Sequence, residues 1–272
     1  SGSCNAAYRD AVSQLVAAGV VVVAAAGNEE GLAVGVPANC PGAIAVAGLR
    51  HAGSKVGFSS LGPEVAISAP GGNCVNLTGE CLYPILTTTN TGPQGPGAPA
   101  WSNGSNASFG TSFATPLVAG TAALMLSANP ALSPAQVRTL LQGAARAFPT
   151  ATSDPTVPQC QAPSSLPQIE CLCTTSTCGA GMLDAAAAVR AAAASAAPSA
   201  SIAGAAGSVP AGVTLSLDGS ASKVAAGRSI TGWRWTLTAG SAIAALVGDG
   251  NGPTVQVRTT GVGSFTVQLT VT

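Results

Sequence analysis

Ser112 stands in Phe109-Gly110-Thr111-Ser112-Phe113-Ala114-Thr115-Pro116, where a glycine turn meets the start of a nearly charge-free helical pattern. A helix N-terminus carries unpaired backbone N–H groups and a partial positive charge. A serine there can attack a carbonyl while its own N–H helps hold the oxyanion that forms. The same position also suits a serine that merely caps the helix. Asn28 follows the apolar run 20–26 through Gly27, at a strand's C-terminal end, where open α/β sheets build their sites. Its amide could donate to a developing oxyanion, or simply turn the chain. A serine nucleophile also needs a base, and the chain holds one histidine, His51, in the polar turn Leu49-Arg50-His51-Ala52-Gly53.

The elements that must position these residues fall into two patterns. Residues 5–18 carry Ala7, Ala11, Leu15 and Ala18 at helical spacing and stop at Gly19. Runs 20–26, 43–47 and 65–67 are apolar without alternation, as in strands of a parallel sheet covered by helices on both faces. A helix from Ser112 to about Ala128 is apolar all round and is expected to run through the core. Ser133-Pro134 opens a further helix with the stripe Val137, Leu140, Leu141 and Ala144, and residues 182–197 form an Ala-rich last one. After Pro198 the period changes to two. Val213, Leu215 and Leu217, then Trp233, Trp235 and Leu237, then Val267, Leu269 and Val271 alternate with polar residues, as in an antiparallel β-sandwich. The expected fold is therefore α/β over residues 1–197, followed by a small all-β sandwich over residues 198–272.

The 272 residues include 10 basic and 10 acidic side chains, so no electrostatic footprint for nucleic acid or an anionic membrane is present. Apolar runs 12–27 and 113–128 fall short of the roughly 20 residues of a membrane span. Eight cysteines, an even count without zinc-type Cys/His spacing, point to disulfides and an extracytoplasmic compartment. Cys4–Cys40 and Cys74–Cys81 are plausible pairs, whereas Cys160, Cys171, Cys173 and Cys178 leave their connectivity open. Ser1-Gly2-Ser3-Cys4 has no signal-peptide character, so an export signal is expected upstream.

Five motifs now fall into line: Ala25-Ala26-Gly27-Asn28-Glu29, Gly35-Val36-Pro37-Ala38, Phe58-Ser59-Ser60-Leu61-Gly62-Pro63, Ala69-Pro70-Gly71 and Gly110 to Pro116. In this order and spacing they resemble the subtilisin-like serine proteases over roughly residues 1–190. The resemblance implies a secreted endopeptidase acting on protein or peptide substrates through an acyl-enzyme. Ser112 would be its nucleophile, and the Asn28 side chain with the Ser112 N–H its oxyanion hole. Ala25, Ala26, Gly27 and Gly35 would wall a roomy, apolar pocket for the side chain before the scissile bond. Glu29 and Glu30 near its rim would also admit a basic side chain. Many relatives carry Met after the nucleophile, where this chain has Phe113. The resemblance allows a calcium ion, but the acidic residues are scattered and show no ligand cluster.

Family members place an Asp and a His before the oxyanion Asn, and neither is found among residues 1–27. Asp10 sits in a helical pattern without a family motif, and His51 comes too late with the wrong neighbours. The chain thus reads as the C-terminal part of a peptidase whose N-terminal part carries Asp and His, and as close to inert alone. The alternative is a catalytically dead scaffold or a binding and adhesion module. In the sandwich, Leu217 to Ser222, Trp233-Arg234-Trp235 and Phe265 to Thr272 resemble a PKD-type immunoglobulin-like module, with both tryptophans expected on a core-facing strand face.

Overall fold

A computed structural model describes residues 2–72, 83–102, 109–196, 198–204, 207–224 and 229–272. The chain forms two compact units, Ser1–Ala192 and Ala193–Thr272.

The first unit is built on a parallel sheet of β1 (Val23–Ala25), β2 (Ile44–Leu49) and β3 (Val65–Pro70), in that order. Pairing sets Val23 opposite Ile44 and Val46 opposite Ile67. β2 is buried along its whole length, as its unbroken apolar run requires. Alternate residues serve opposite faces. Ile44, Val46, Ile67 and Ala69 meet α2 (Thr111–Ala128), α3 (Pro134–Gly143) and α4 (Ala185–Ala196) through Ala114, Val118, Met125, Val137, Leu141, Ala188 and Ala192. Ala45 and Ala47 meet Ala26, Val34 and Ala38 on the other face. There α1 (Ala6–Ala17) packs through Val12 and Val16 against Val22 and Ala43, so helices lie on both faces. The Cys4–Cys40 disulfide ties the start of α1 to this layer. Cys160–Cys171 and Cys173–Cys178 close the connection between α3 and α4, and Cys74–Cys81 lies outside the described residues.

Three expectations change. The buried face of α1 is Val12 and Val16, and Leu15 of the expected stripe is 45% exposed. Those branched side chains fill the space beside Gly42, whose Cβ would lie 3.3 and 3.2 Å from them. Only one side of α2 is buried (Thr111, Ala114, Val118, Thr121, Ala122, Met125), and Leu124 on the other side is 59% exposed. Its 18 residues make α2 long and apolar enough to cross a membrane, where the 16-residue run alone was too short; in this fold it packs on all three strands. A hairpin of β4 (Thr88–Asn90) and β5 (Pro99–Trp101) precedes α2 and had no sequence signal.

The second unit holds two antiparallel sheets. One pairs β7 (Trp233–Ala239) with β10 (Thr266–Val271), and the other orders β6 (Thr214–Asp218), β9 (Thr254–Thr259) and β8 (Ala244–Val247). Both sheets feed one apolar cluster, with Leu217, Trp235, Val257 and Leu269 buried in it. The Trp235 indole N–H donates to the Gly252 carbonyl at 3.0 Å, which satisfies the polar end of a buried ring.

Candidate active site

Gly110 begins α2 with φ 139° and offers no side-chain cap, so Ser112, exposed in the first turn, does not cap the helix. The cap comes from 83 residues away. Asn28 Oδ1 accepts the Thr111 backbone N–H at 3.0 Å and the Thr111 hydroxyl at 2.9 Å. A backbone N–H can bond only the amide's oxygen, so this contact also fixes where Asn28 Nδ2 points. Nδ2 lies 3.3 Å from where a Cβ on Gly110 would be; φ there calls for glycine, and a Cβ would press the amide back by a few tenths of an ångström. Phe113 and Ala114 turn their N–H groups back to the Gly110 carbonyl, at 3.0 and 3.4 Å. The N–H of Ser112 has no hydrogen-bond partner among the described residues. Two donors, Nδ2 of Asn28 and the N–H of Ser112, are thus available at the helix start beside an exposed hydroxyl. Thr111, 1% exposed, is the residue that sequence reasoning did not single out; its place between Gly110 and Ser112 was the only sequence signal.

The loop carrying Asn28 is braced by the segment 55–60. Glu30 N–H donates to the Phe58 carbonyl, Gly31 N–H to the Ser59 carbonyl, and Ser60 N–H to the Gly27 carbonyl, each at 2.9 Å. The Ser60 hydroxyl accepts from Glu29 N–H and donates to the Glu29 carboxylate. Beneath this segment the Lys55 side chain is fully buried, its ammonium donating to the carbonyls of Val56, Gly57 and Ser59 at 3.0 Å each. Burial pushes its pKa down from 10.5 to about 8, opposed by the carboxylates of Glu30 and Glu170. Phe58 also faces Phe109, with ring centroids 5.5 Å apart, so the same segment touches the strand end and the approach to Ser112.

Of the expected pocket residues, Ala25 ends β1, and Gly35 N–H bonds the Ala26 carbonyl at 3.0 Å just before the cis Val36-Pro37 bond. A Cβ on Gly35 would meet only the Ala26 carbonyl oxygen, at 3.9 Å. Ala26 itself is fully buried among Val34, Ala38 and Ala45, its N–H bonded to the Val46 carbonyl and its carbonyl to Gly35 N–H, so it backs the expected pocket without lining it. Gly27, at φ 116°, has no room for a Cβ beside Glu29 and Ser60. The Glu29 carboxylate is bonded to Ser60, and Glu30 gives its carbonyl to the Gln168 N–H of the disulfide-closed loop, at 2.6 Å. His51 lies exposed in its turn with its ring stacked on Tyr83, and Asp10 is exposed on α1.

For metals, one cluster of potential ligands exists among the described residues, Cys160, Cys173 and Cys178, and all three sulfurs belong to disulfides. The oxygen-rich ligand set that calcium needs is not assembled from acidic side chains in the described part.

The family model of the subtilases matches residues 1–165. The chain belongs to the subtilase family. This subtilase chain is 41% identical over 154 residues to an extracellular protease of Xanthomonas campestris pv. campestris, covering 56% of this chain and 24% of that protein. It is 38% identical over 145 residues to subtilisin of Bacillus pumilus, covering 52% and 45% of the two. A solved protease structure from Pseudoalteromonas arctica shares 32% identity and a TM-score of 0.55, over 70% of this subtilase chain and 48% of that one. The chain therefore spans less than half the length of these relatives.

Proposed function

We propose that this chain is the C-terminal part of the catalytic domain of a secreted serine endopeptidase, with Ser112 as nucleophile. The observation that carries the reading is the pair of donors at the start of α2, the Ser112 N–H and the Asn28 amide oriented by Thr111. A tetrahedral oxyanion formed by attack of the Ser112 hydroxyl would accept from both donors in this reading. In the whole enzyme a histidine would take the serine proton and an aspartate would orient that histidine. Both belong to an N-terminal part of the same protease. The half-buried β1, with β2 as its one neighbour among the described strands, and the exposed Leu117 and Leu124 of α2 offer the apolar surface it would cover. Without it the chain should be nearly inert, since a subtilisin stripped of its serine or histidine loses about 10⁶ in kcat, a value belonging to that relative.

The pocket beside Gly35 and the main chain of residues 25–27 would admit large apolar side chains, and Glu29 and Glu30 a basic one. Cleavage of a peptide library after small residues only would overturn both expectations. Secretion agrees with the disulfides and with the extracellular naming of the Xanthomonas relative. Residues 198–272 are read as a PKD-type immunoglobulin-like module that serves as a spacer or holds polymeric substrate.

A fluorophosphonate probe on the full-length protease tests the core of this reading. Labelling that is lost in Ser112→Ala supports it. Folded full-length protein that resists the probe favours the alternative, a catalytically dead scaffold or adhesion module.

A further inference from the structure

Lys55 lies outside every motif considered so far, yet its surroundings are unusual. A fully buried ammonium is costly unless its donors are satisfied, and here three main-chain carbonyls do so at 3.0 Å each. Those carbonyls are not spread through the core. All three belong to residues 56–59, which are curled around the ammonium as a cradle. The Ser59 carbonyl is shared, accepting from the Lys55 ammonium and from Gly31 N–H at 2.9 Å. One residue earlier, the Phe58 carbonyl holds Glu30 N–H, and one residue later Ser60 holds Gly27 and Glu29. Every residue flanking Asn28 from 27 to 31 is thereby tied to a segment whose curvature is set by one cation.

We infer that Lys55 is a positioning residue for the oxyanion donor Asn28, acting through the 56–60 cradle. The inference rests on the protease reading. It follows from donor counting: a charged ammonium supplies three N–H bonds to three carbonyls, a neutral amine only two. Losing the proton frees one carbonyl and relaxes the segment that braces residues 27–31. The charged groups facing Lys55 are Glu30 on the Asn28 loop and Glu170 on the disulfide-closed loop, and Glu170 is itself held by Arg50 and Ser54. Both carboxylates favour the charged form, and burial opposes it, so that the ammonium loses its proton at about pH 8 instead of at 10.5. Because an oxyanion donor bonds the transition state and not the bound substrate, its misplacement lowers kcat and leaves KM alone.

The test uses the full-length protease and a chromogenic peptide substrate, with kcat and KM followed from about pH 7 to about pH 9.5. The wild type should lose about threefold or more in kcat across that range, with KM constant, as one carbonyl bond is lost. Lys55→Arg, whose guanidinium does not titrate there, should move the fall to higher pH. Lys55→Met should lose about tenfold or more in kcat at pH 7, again with constant KM. A wild-type kcat that stays flat with pH overturns the inference. So does an alkaline limb unmoved in Lys55→Arg, or a folded Lys55→Met with wild-type kcat. If Lys55→Met does not fold, the first two measurements decide. A wild type that neither turns over nor reacts with the fluorophosphonate probe at Ser112 instead overturns the protease reading itself.

Discussion

Asn28 and Thr111 are joined twice, the Asn28 Oδ1 accepting both the backbone N–H and the hydroxyl of Thr111 at 3.0 and 2.9 Å. The double bond links the end of β1 to the start of α2 and turns one amide into a fixed donor. The threonine hydroxyl in turn accepts from Gly27 N–H at 3.4 Å, which ties it back to the same loop. Thr111→Val keeps the shape and the backbone bond but removes the hydroxyl. In the full-length protease it should lower kcat about five- to tenfold with little change in KM, as the hydroxyl's bonds to Asn28 and from Gly27 are both lost. Steady-state kinetics would show it, and an unchanged kcat would mean that the backbone bond alone orients Asn28.

Asn28→Leu removes the donor itself. The expected loss in kcat is about 10²–10³, a magnitude known from the equivalent donor in subtilisin. Fluorophosphonate labelling of Ser112 should slow as well, and the thermal midpoint should fall, because the leucine also removes the acceptor of the buried Thr111 N–H and hydroxyl.

Gly110→Ala tests the same donor from the other side. At φ 139° an alanine is strained by roughly 1–3 kcal/mol, and its Cβ would press on Nδ2 of Asn28 from 3.3 Å. Both a lower thermal midpoint and a kcat reduced about tenfold or more are expected, and a variant matching wild type in both would refute the placement of Nδ2.

Stability and activity should part ways at alkaline pH. Lys55 is held at about 8 in the folded chain against 10.5 ordinarily. Between these values the unfolded chain binds the extra proton, so the Lys55 contribution to stability rises with pH across this window. The gain is on the order of 3 kcal/mol at most. Comparing urea midpoints at both ends of the window, wild type should rise relative to Lys55→Met, which has nothing there to titrate.

Resistance to peroxide is expected from Phe113, which replaces an oxidisable thioether beside Ser112. The chain's two methionines are Met125, fully buried, and Met182, half-buried. A peroxide-inactivation time course as fast as that of Met-containing subtilases would show that oxidation elsewhere controls the activity.

Much of this was legible in the residues. Ser133-Pro134 announced a helix start, and the structure adds reciprocal capping bonds between Ser133 and Gln136. The runs at 43–47 and 65–67 became the buried strands β2 and β3, because unbroken apolar sequence has only a doubly covered sheet to occupy. The helices misled where periodicity was ambiguous. In α1 the stripe Ala7, Ala11, Leu15 and Ala18 competed with Val12 and Val16, and packing against Val22, Cys40 and Ala43 decided the buried face. In α2 apolar residues all round left the face undetermined, and packing on the sheet chose Ala114, Val118 and Met125.

By itself the sequence determined the family and the identity of Ser112 and Asn28 as candidate residues, since each rests on short motifs; it made Cys4–Cys40 a plausible pair, which the fold formed. Only the tertiary structure decided which atoms of those residues are free to act. Thr111 takes the oxygen of Asn28 and leaves its nitrogen, and Lys55 holds the segment that steadies the loop. Both depend on contacts between chain segments that only folding brings together, and local sequence patterns carry no record of such pairings.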